Sequence, residues 1–122
     1  MKLLCNLFIA GMITTLAQAI VFAQKADVGP RTLLEVVGQS QLSSPTYQTK
    51  GASILERNFT PRFFLEHMLK DVNLMLNAAK EAGAPLPAIE VAQRFFIEAQ
   101  SAGFGKEDYS AVVKVLQSQA AK

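Results

Sequence analysis

Tryptophan is absent from the 122-residue sequence, and cysteine and histidine occur once each, as Cys5 and His67. A single thiol excludes an internal disulfide framework, and one Cys with one His cannot close a zinc site without several carboxylates in support, so no metal site is expected. An excess of charge of one sign is also missing. Twelve Lys and Arg stand against ten Asp and Glu, a net charge of +2, with no basic run to hold nucleic acid. No segment alternates apolar and polar residues as a half-buried strand would, so no β-sheet is expected, and there is no internal repeat. Apolar side chains are abundant: 50% of the residues are hydrophobic and 18% charged. That composition excludes a disordered chain. It fits one modest globular domain able to bury enough of its own apolar surface to fold without disulfides or metals.

Charge is also missing locally, since nothing between Lys2 and Lys25 is ionisable as an acid or a base apart from the Cys5 thiol. Taken alone, Lys2, the run Leu3, Leu4, Leu7, Phe8, Ile9 and the small triplet Ala17-Gln18-Ala19 satisfy the three parts of an export signal. Asn6, Thr14, Thr15 and Gln18 interrupt a run barely long enough for a membrane span, which disfavours that reading. A third reading is a helix buried in a core, apolar nearly all round.

The remainder reads as helices with clear punctuation. Gly29-Pro30 is expected to end the first element, and Arg31 to Val37 forms a short helix with Leu33, Leu34 and Val37 on one side, stopped by Gly38. Gln39 to Thr49, rich in Ser and carrying Pro45, reads as a loop with at most a short helical piece up to Leu55. Thr60-Pro61 is a cap followed by proline at the first helical position, predicting a helix from there to about Ala82. Its stripe is Phe64, Met68, Val72 and Leu76, with Leu65 and Leu69 beside it. Gly83, Pro85 and Pro87 stop it. A helix from Pro87 presents Ala92, Phe95, Phe96 and Ala99 and ends at Gly103, and Asp108 caps a last helix bearing Val112, Val113 and Leu116. The expectation is an all-α, compact domain of about five or six helices.

Few residues stand out for chemistry. Lys2 and Asn6, four apart, share a helix face one turn from each other. Taken alone, they read as a solvated charge and an amide bonded to nearby backbone. Lys70-Asp71, flanked by Leu69 and Val72, reads on spacing alone as a solvated face with a local charge pair. His67 has no partner at ligand spacing and reads as a surface residue, while Cys5 among leucines reads as an inert buried thiol. Gly103-Phe104-Gly105 follows a helix and lacks a third glycine, so it is no dinucleotide fingerprint.

Read in order, however, these pieces resemble one family. Lys2-Leu-Leu-Cys-Asn6, Ala17-Gln18-Ala19, Ala23-Gln-Lys-Ala26 and Gly29-Pro30 are similar to the start of the C-terminal domain of the β-hydroxyacid dehydrogenases. These include 3-hydroxyisobutyrate dehydrogenase, tartronate semialdehyde reductase and the glyoxylate/succinic semialdehyde reductases. The likeness continues through Ser43-Ser44-Pro45, Lys50-Gly51, Ile54 to Pro61, Phe63, Leu69-Lys70-Asp71-Val72, Ala82-Gly83, Pro85-Leu86-Pro87, and Ala102 to Gly105 with Asp108, Ser110 and Ala111. It covers essentially the whole chain. The fold it implies is like the C-terminal domain of 6-phosphogluconate dehydrogenase, with a long, buried first helix.

The resemblance implies the substrate-side half of an NAD- or NADP-dependent enzyme that moves hydride between a small hydroxy acid and its carbonyl form. On it, Lys2 is the catalytic lysine, Asn6 binds substrate, Lys70 binds the cofactor and Asp71 orients or pairs locally. A desolvated ammonium suits the proton-transfer role, and an amide one turn away suits substrate registration. Gln18, where the family commonly has an acidic residue, and Asp27-Val28-Gly29-Pro30, in place of a Gly-Leu-Asp-Pro-like turn, depart from the pattern.

The Rossmann nucleotide-binding half is absent from the sequence, so residues 1–122 are expected to form one helical domain, inactive in isolation. It would be a truncated product, an excised domain or half of a split enzyme. Its expected partners are a nucleotide-binding domain, a small hydroxy acid and further copies of itself, with neither nucleic acid nor membrane, in the cytoplasm. The alternatives are an exported helical protein, periplasmic or secreted after loss of residues 1–19 or 1–24, and a noncatalytic helical dimerisation module.

Overall fold

The computed structural model describes residues 1–121 and contains six α-helices. These are α1 (Lys2–Lys25), α2 (Pro30–Gly38), α3 (Pro45–Leu55), α4 (Leu65–Glu81), α5 (Pro87–Ala99) and α6 (Val113–Ala120). A π-turn, Gln100–Phe104, extends α5, and a 3₁₀ turn, Tyr109–Val112, leads into α6. Among the described residues the one β-type pairing is an isolated bridge between Phe64 and Asp108. The all-α expectation holds.

Helix α1 is the axis of the molecule and packs against α3, α4, α5 and α6. Ala10, Ile13, Leu16, Ala17, Ile20 and Ala23 recur at helical spacing and are buried. Ile13 and Ile20, fully removed from water, each contribute about 1.5–3 kcal/mol. Thr14 lies in the same stripe without penalty because its hydroxyl donates to the Ala10 carbonyl at 2.8 Å. Burial is confined to that stripe. Leu4, Phe8 and Phe22 are 59%, 70% and 74% exposed, so the core accounts for only one side of the uncharged segment. By length and composition α1 could also cross a membrane, but in this fold its inner face is the core. The helix stops before Gly29-Pro30: the Val28 N–H bonds back to the Ala23 carbonyl and Asp27 takes φ 59°. Pro30 instead opens α2.

Two boundaries differ from the sequence expectation, for related reasons. The stretch read as a loop contains α3, because Ser44 accepts a hydrogen bond from the Tyr47 N–H at 3.0 Å and Pro45 occupies the first turn. Gly51 of α3 then lets α2 approach closely, since a β-carbon there would lie 2.7 Å from Leu34. Conversely, Thr60-Pro61 does not start a helix, and α4 begins at Leu65. Residues 59–66 spend their backbone groups on the chain ahead of α6. Phe59 and Phe63 carbonyls accept from Asp108 and Tyr109, and the Leu65 and Glu66 N–H groups donate to Glu107 and Gly105. Long-range pairing outbids the local cap. From Leu65 most of the predicted stripe appears, with Leu65, Met68, Leu69 and Val72 buried, but Met75 takes the buried place expected of Leu76, and Phe64 and Leu76 are only half-buried. The stripe meets Ile89, Ala92, Phe96 and Ala99 of α5 and the buried run Ala111, Val112, Val113. Gly103, at φ 97°, ends the α5 extension in a conformation glycine adopts without strain.

Candidate functional site

The first turns of α1 lie against the middle of α4. Asn6 Nδ2 donates to Asp71 Oδ2 at 2.7 Å, joining positions 65 apart in sequence. Lys2 sits one turn before Asn6 on the same face of α1. Lys70 adjoins Asp71, rotated about 100° from it around α4. The fold thus brings the segment that carries Lys2 and Asn6 against the segment that carries Lys70 and Asp71, the residues that the resemblance picked out, with the Asn6–Asp71 bond as the contact between them. Of the two expectations for Asp71, to orient a neighbour or to pair locally, its carboxylate makes the contact across the helix interface rather than a pair within α4. Asn6 is correspondingly half-buried and already donates one N–H. Its Oδ1 and second N–H complete what the amide can offer.

Lys2 and Lys70 are exposed and have no ion-pair partner among the described residues. The desolvated ammonium expected of Lys2 is therefore not produced by this chain's own packing. Water would have to be excluded by something laid over this end of the molecule. Cys5 is exposed as well, contrary to the expected buried thiol, because it lies on the outer side of α1, away from the face that carries Leu3, Asn6 and Leu7 inward.

Chemically, the face presents two ammonium groups that donate to carbonyl or anionic oxygen, one amide that donates and accepts, and one carboxylate. Such groups can bind a carbonyl oxygen or an anionic oxygen. Gly103-Phe104-Gly105 lies in the turn after α5.

A second polar cluster, not assigned a role from the sequence, lies in the core. Asp108 is 2% exposed. Its Oδ2 accepts from Lys50 Nζ at 2.9 Å, Ser110 Oγ at 2.6 Å and the Ser110 N–H at 3.1 Å. Its Oδ1 accepts from the Arg62 and Phe63 N–H groups. Burial alone would push this carboxyl up, but the Ser110 and Lys50 side chains and the backbone donors outweigh it and hold the carboxyl below its ordinary value. Lys50 Nζ also lies 4.5 Å from the centre of the Tyr109 ring. Burial and the Asp108 charge push the Tyr109 phenol up to about 12. With every strong acceptor satisfied, the cluster is a structural clamp joining α3, residues 62–63 and the start of the 3₁₀ turn. Its sequence signal was that Lys50 is the one charge between Glu35 and Glu56. His67 is exposed beside the edges of Phe63 and Phe64, and no group of three metal-ligating side chains occurs among the described residues.

Comparison with known proteins identifies the family to which this fold belongs. Residues 1–116 match the family described as NAD-binding of NADP-dependent 3-hydroxyisobutyrate dehydrogenase. Glyoxylate/succinic semialdehyde reductase 2 of Arabidopsis thaliana is 33% identical over 118 residues, 97% of this chain and 33% of that protein. 2-(Hydroxymethyl)glutarate dehydrogenase of Eubacterium barkeri is 34% identical over 115 residues, 93% of this chain and 38% of that protein. The chain thus spans 33% to 38% of the length of these relatives. The crystal structure of 3-hydroxyisobutyrate dehydrogenase from Salmonella typhimurium superposes with a TM-score of 0.88 at 30% identity, over 93% of this chain and 40% of that one. The Mycobacterium tuberculosis 3-hydroxyisobutyrate dehydrogenase, with L-serine, shares the fold at a TM-score of 0.85 and 24% identity, over 95% of this chain and 42% of that one. The chain belongs to the 3-hydroxyisobutyrate dehydrogenase family, as its all-helical NAD-binding domain.

Proposed function

We propose that this chain is the substrate-side half of an NAD- or NADP-dependent β-hydroxyacid dehydrogenase, of the 3-hydroxyisobutyrate dehydrogenase or the tartronate, glyoxylate or succinic semialdehyde reductase type. The observation that carries the reading is the Asn6–Asp71 hydrogen bond, because it brings Lys2-to-Asn6 and Lys70-Asp71 to one face. In the reductive direction Lys2 Nζ hydrogen-bonds the substrate carbonyl oxygen and gives it a proton as negative charge builds there. In the oxidative direction the neutral amine takes the hydroxyl proton back. Asn6 holds the substrate in register, and Lys70 holds the reacting end of the dinucleotide. When bound, the dinucleotide supplies or accepts the hydride.

The exposure of Lys2 and Lys70 supports a partner over this face, and the working partner is a nucleotide-binding domain. The uncharged outer side of α1, with Leu4, Phe8 and Phe22 exposed, supports self-association. Because Ala10, Ile13, Leu16 and Ala17 are core residues, the proposal keeps α1 in the working protein and places that protein in the cytoplasm. The test is to combine the chain with the nucleotide-binding domain of a glyoxylate/succinic semialdehyde reductase and follow NADPH consumption with glyoxylate. Turnover that requires both parts is expected. A complex that assembles but turns over none of the family's hydroxy acids or aldehydes would instead indicate a noncatalytic module.

A further inference from the structure

We infer that Asp71 is a positioning residue that acts through Asn6. An ionised carboxylate only accepts hydrogen bonds, so the Asn6 group facing Asp71 at 2.7 Å must be Nδ2. That choice fixes the orientation of the whole amide, with Oδ1 on the side away from Asp71. Without the carboxylate, the two amide orientations are nearly isosteric and a bound molecule would meet oxygen in one and N–H in the other. Asp71 therefore fixes which side of Asn6 offers Oδ1 and which offers the remaining N–H. That fixed polarity suits a ligand with a hydroxyl, which accepts from the N–H or donates to Oδ1. The half-buried position of both groups shields the bond from competition by water, and the packing of α1 on α4 holds its ends.

The inference rests on the dehydrogenase reading, and two measurements separate their fates. In the 122-residue chain, the Asn6 side-chain amide, identified by its loss in Asn6→Ala, should give one NMR pair with a downfield, slowly exchanging proton. Asp71→Leu, which has no acceptor, should remove that signature while the circular dichroism stays helical. An amide that is indifferent to Asp71→Leu overturns the inference. In the complex with a nucleotide-binding domain, with glyoxylate and NADPH as probes, Asn6→Ala and Asp71→Ala should each lower kcat by about 10-fold to 100-fold. The double variant should match Asn6→Ala within about twofold, and Asp71→Glu should recover part of the loss. A further large loss in the double variant would mean that Asp71 acts on its own and would overturn the positioning role, even while Lys2→Ala remained inactive. Should Asp71→Ala fail to fold, Asp71→Leu takes its place in the cycle. Turnover independent of both Lys2 and Asn6 would overturn the dehydrogenase site itself, and this inference with it.

Discussion

Asp108 shows how a single residue can be indispensable without touching a ligand. Its carboxylate gathers five hydrogen bonds from Lys50, Arg62, Phe63 and Ser110. Asp108→Ala leaves Lys50 as an unpaired buried ammonium and two loop N–H groups without an acceptor. The expected loss is about 3–5 kcal/mol, read from urea unfolding. Lys50→Met should cost less, since four donors to the carboxylate survive it. The pH dependence follows from the depressed carboxyl. Its stabilisation is complete above the ordinary value of 3.8 and is lost as pH falls below it toward the folded value. Urea midpoints measured from pH 6 to pH 3 should therefore fall more steeply in the native protein than in Asp108→Asn.

Little of this was legible in the sequence. Asp108 was visible as a cap, and it does accept from the Ser110 N–H, but its tie to Lys50 spans 58 positions and no local pattern encodes it. Asn6 and Asp71 were legible as polar residues in apolar company, and the family resemblance attached roles to both segments. Their contact depends on how α1 crosses α4, which spacing along either helix does not contain.

At the scale of the element, the same signal occurs twice with opposite outcomes. Ser44-Pro45 starts a helix and Thr60-Pro61 does not. A cap followed by proline reports what the backbone prefers in isolation, and that preference yields where residues 59–66 find long-range partners. Ser44→Ala should therefore destabilise the protein by about 1 kcal/mol. Thr60→Ala should change stability by less than about 0.5 kcal/mol. Thermal unfolding of the two variants side by side decides this, and equal losses would contradict the assignment. The apolar periodicities of α4 and α5 were read correctly because buried stripes are a property of the element itself. The uncharged α1 was the ambiguous case, since an export signal, a span and a core helix share its composition. Its inner stripe accounts for the buried side of that composition and not for the exposed one.

For the whole molecule, the fold is a helical domain whose core is complete while its polar face is open. Ile13, Ile20, Phe96, Met68 and Val112 close the interior, yet Lys2 and Lys70 stand in solvent. Loss of residues 1–24 would remove the central helix, so mass spectrometry of the purified folded protein should find α1 retained. A folded species starting at Ile20 or Lys25 would contradict this architecture. The all-α class and the family were legible from the order and spacing of motifs along the chain. The openness of the site was not, because exposure depends on what surrounds a residue.

Lys2 is proposed above as the proton donor of a dehydrogenase. The most direct test is kcat for Lys2→Ala in the complex with a family nucleotide-binding domain, with and without added methylamine. A loss of about 10²-fold to 10⁴-fold is expected, partly restored in proportion to the amine. Turnover by Lys2→Ala at the rate of the unaltered protein would contradict it.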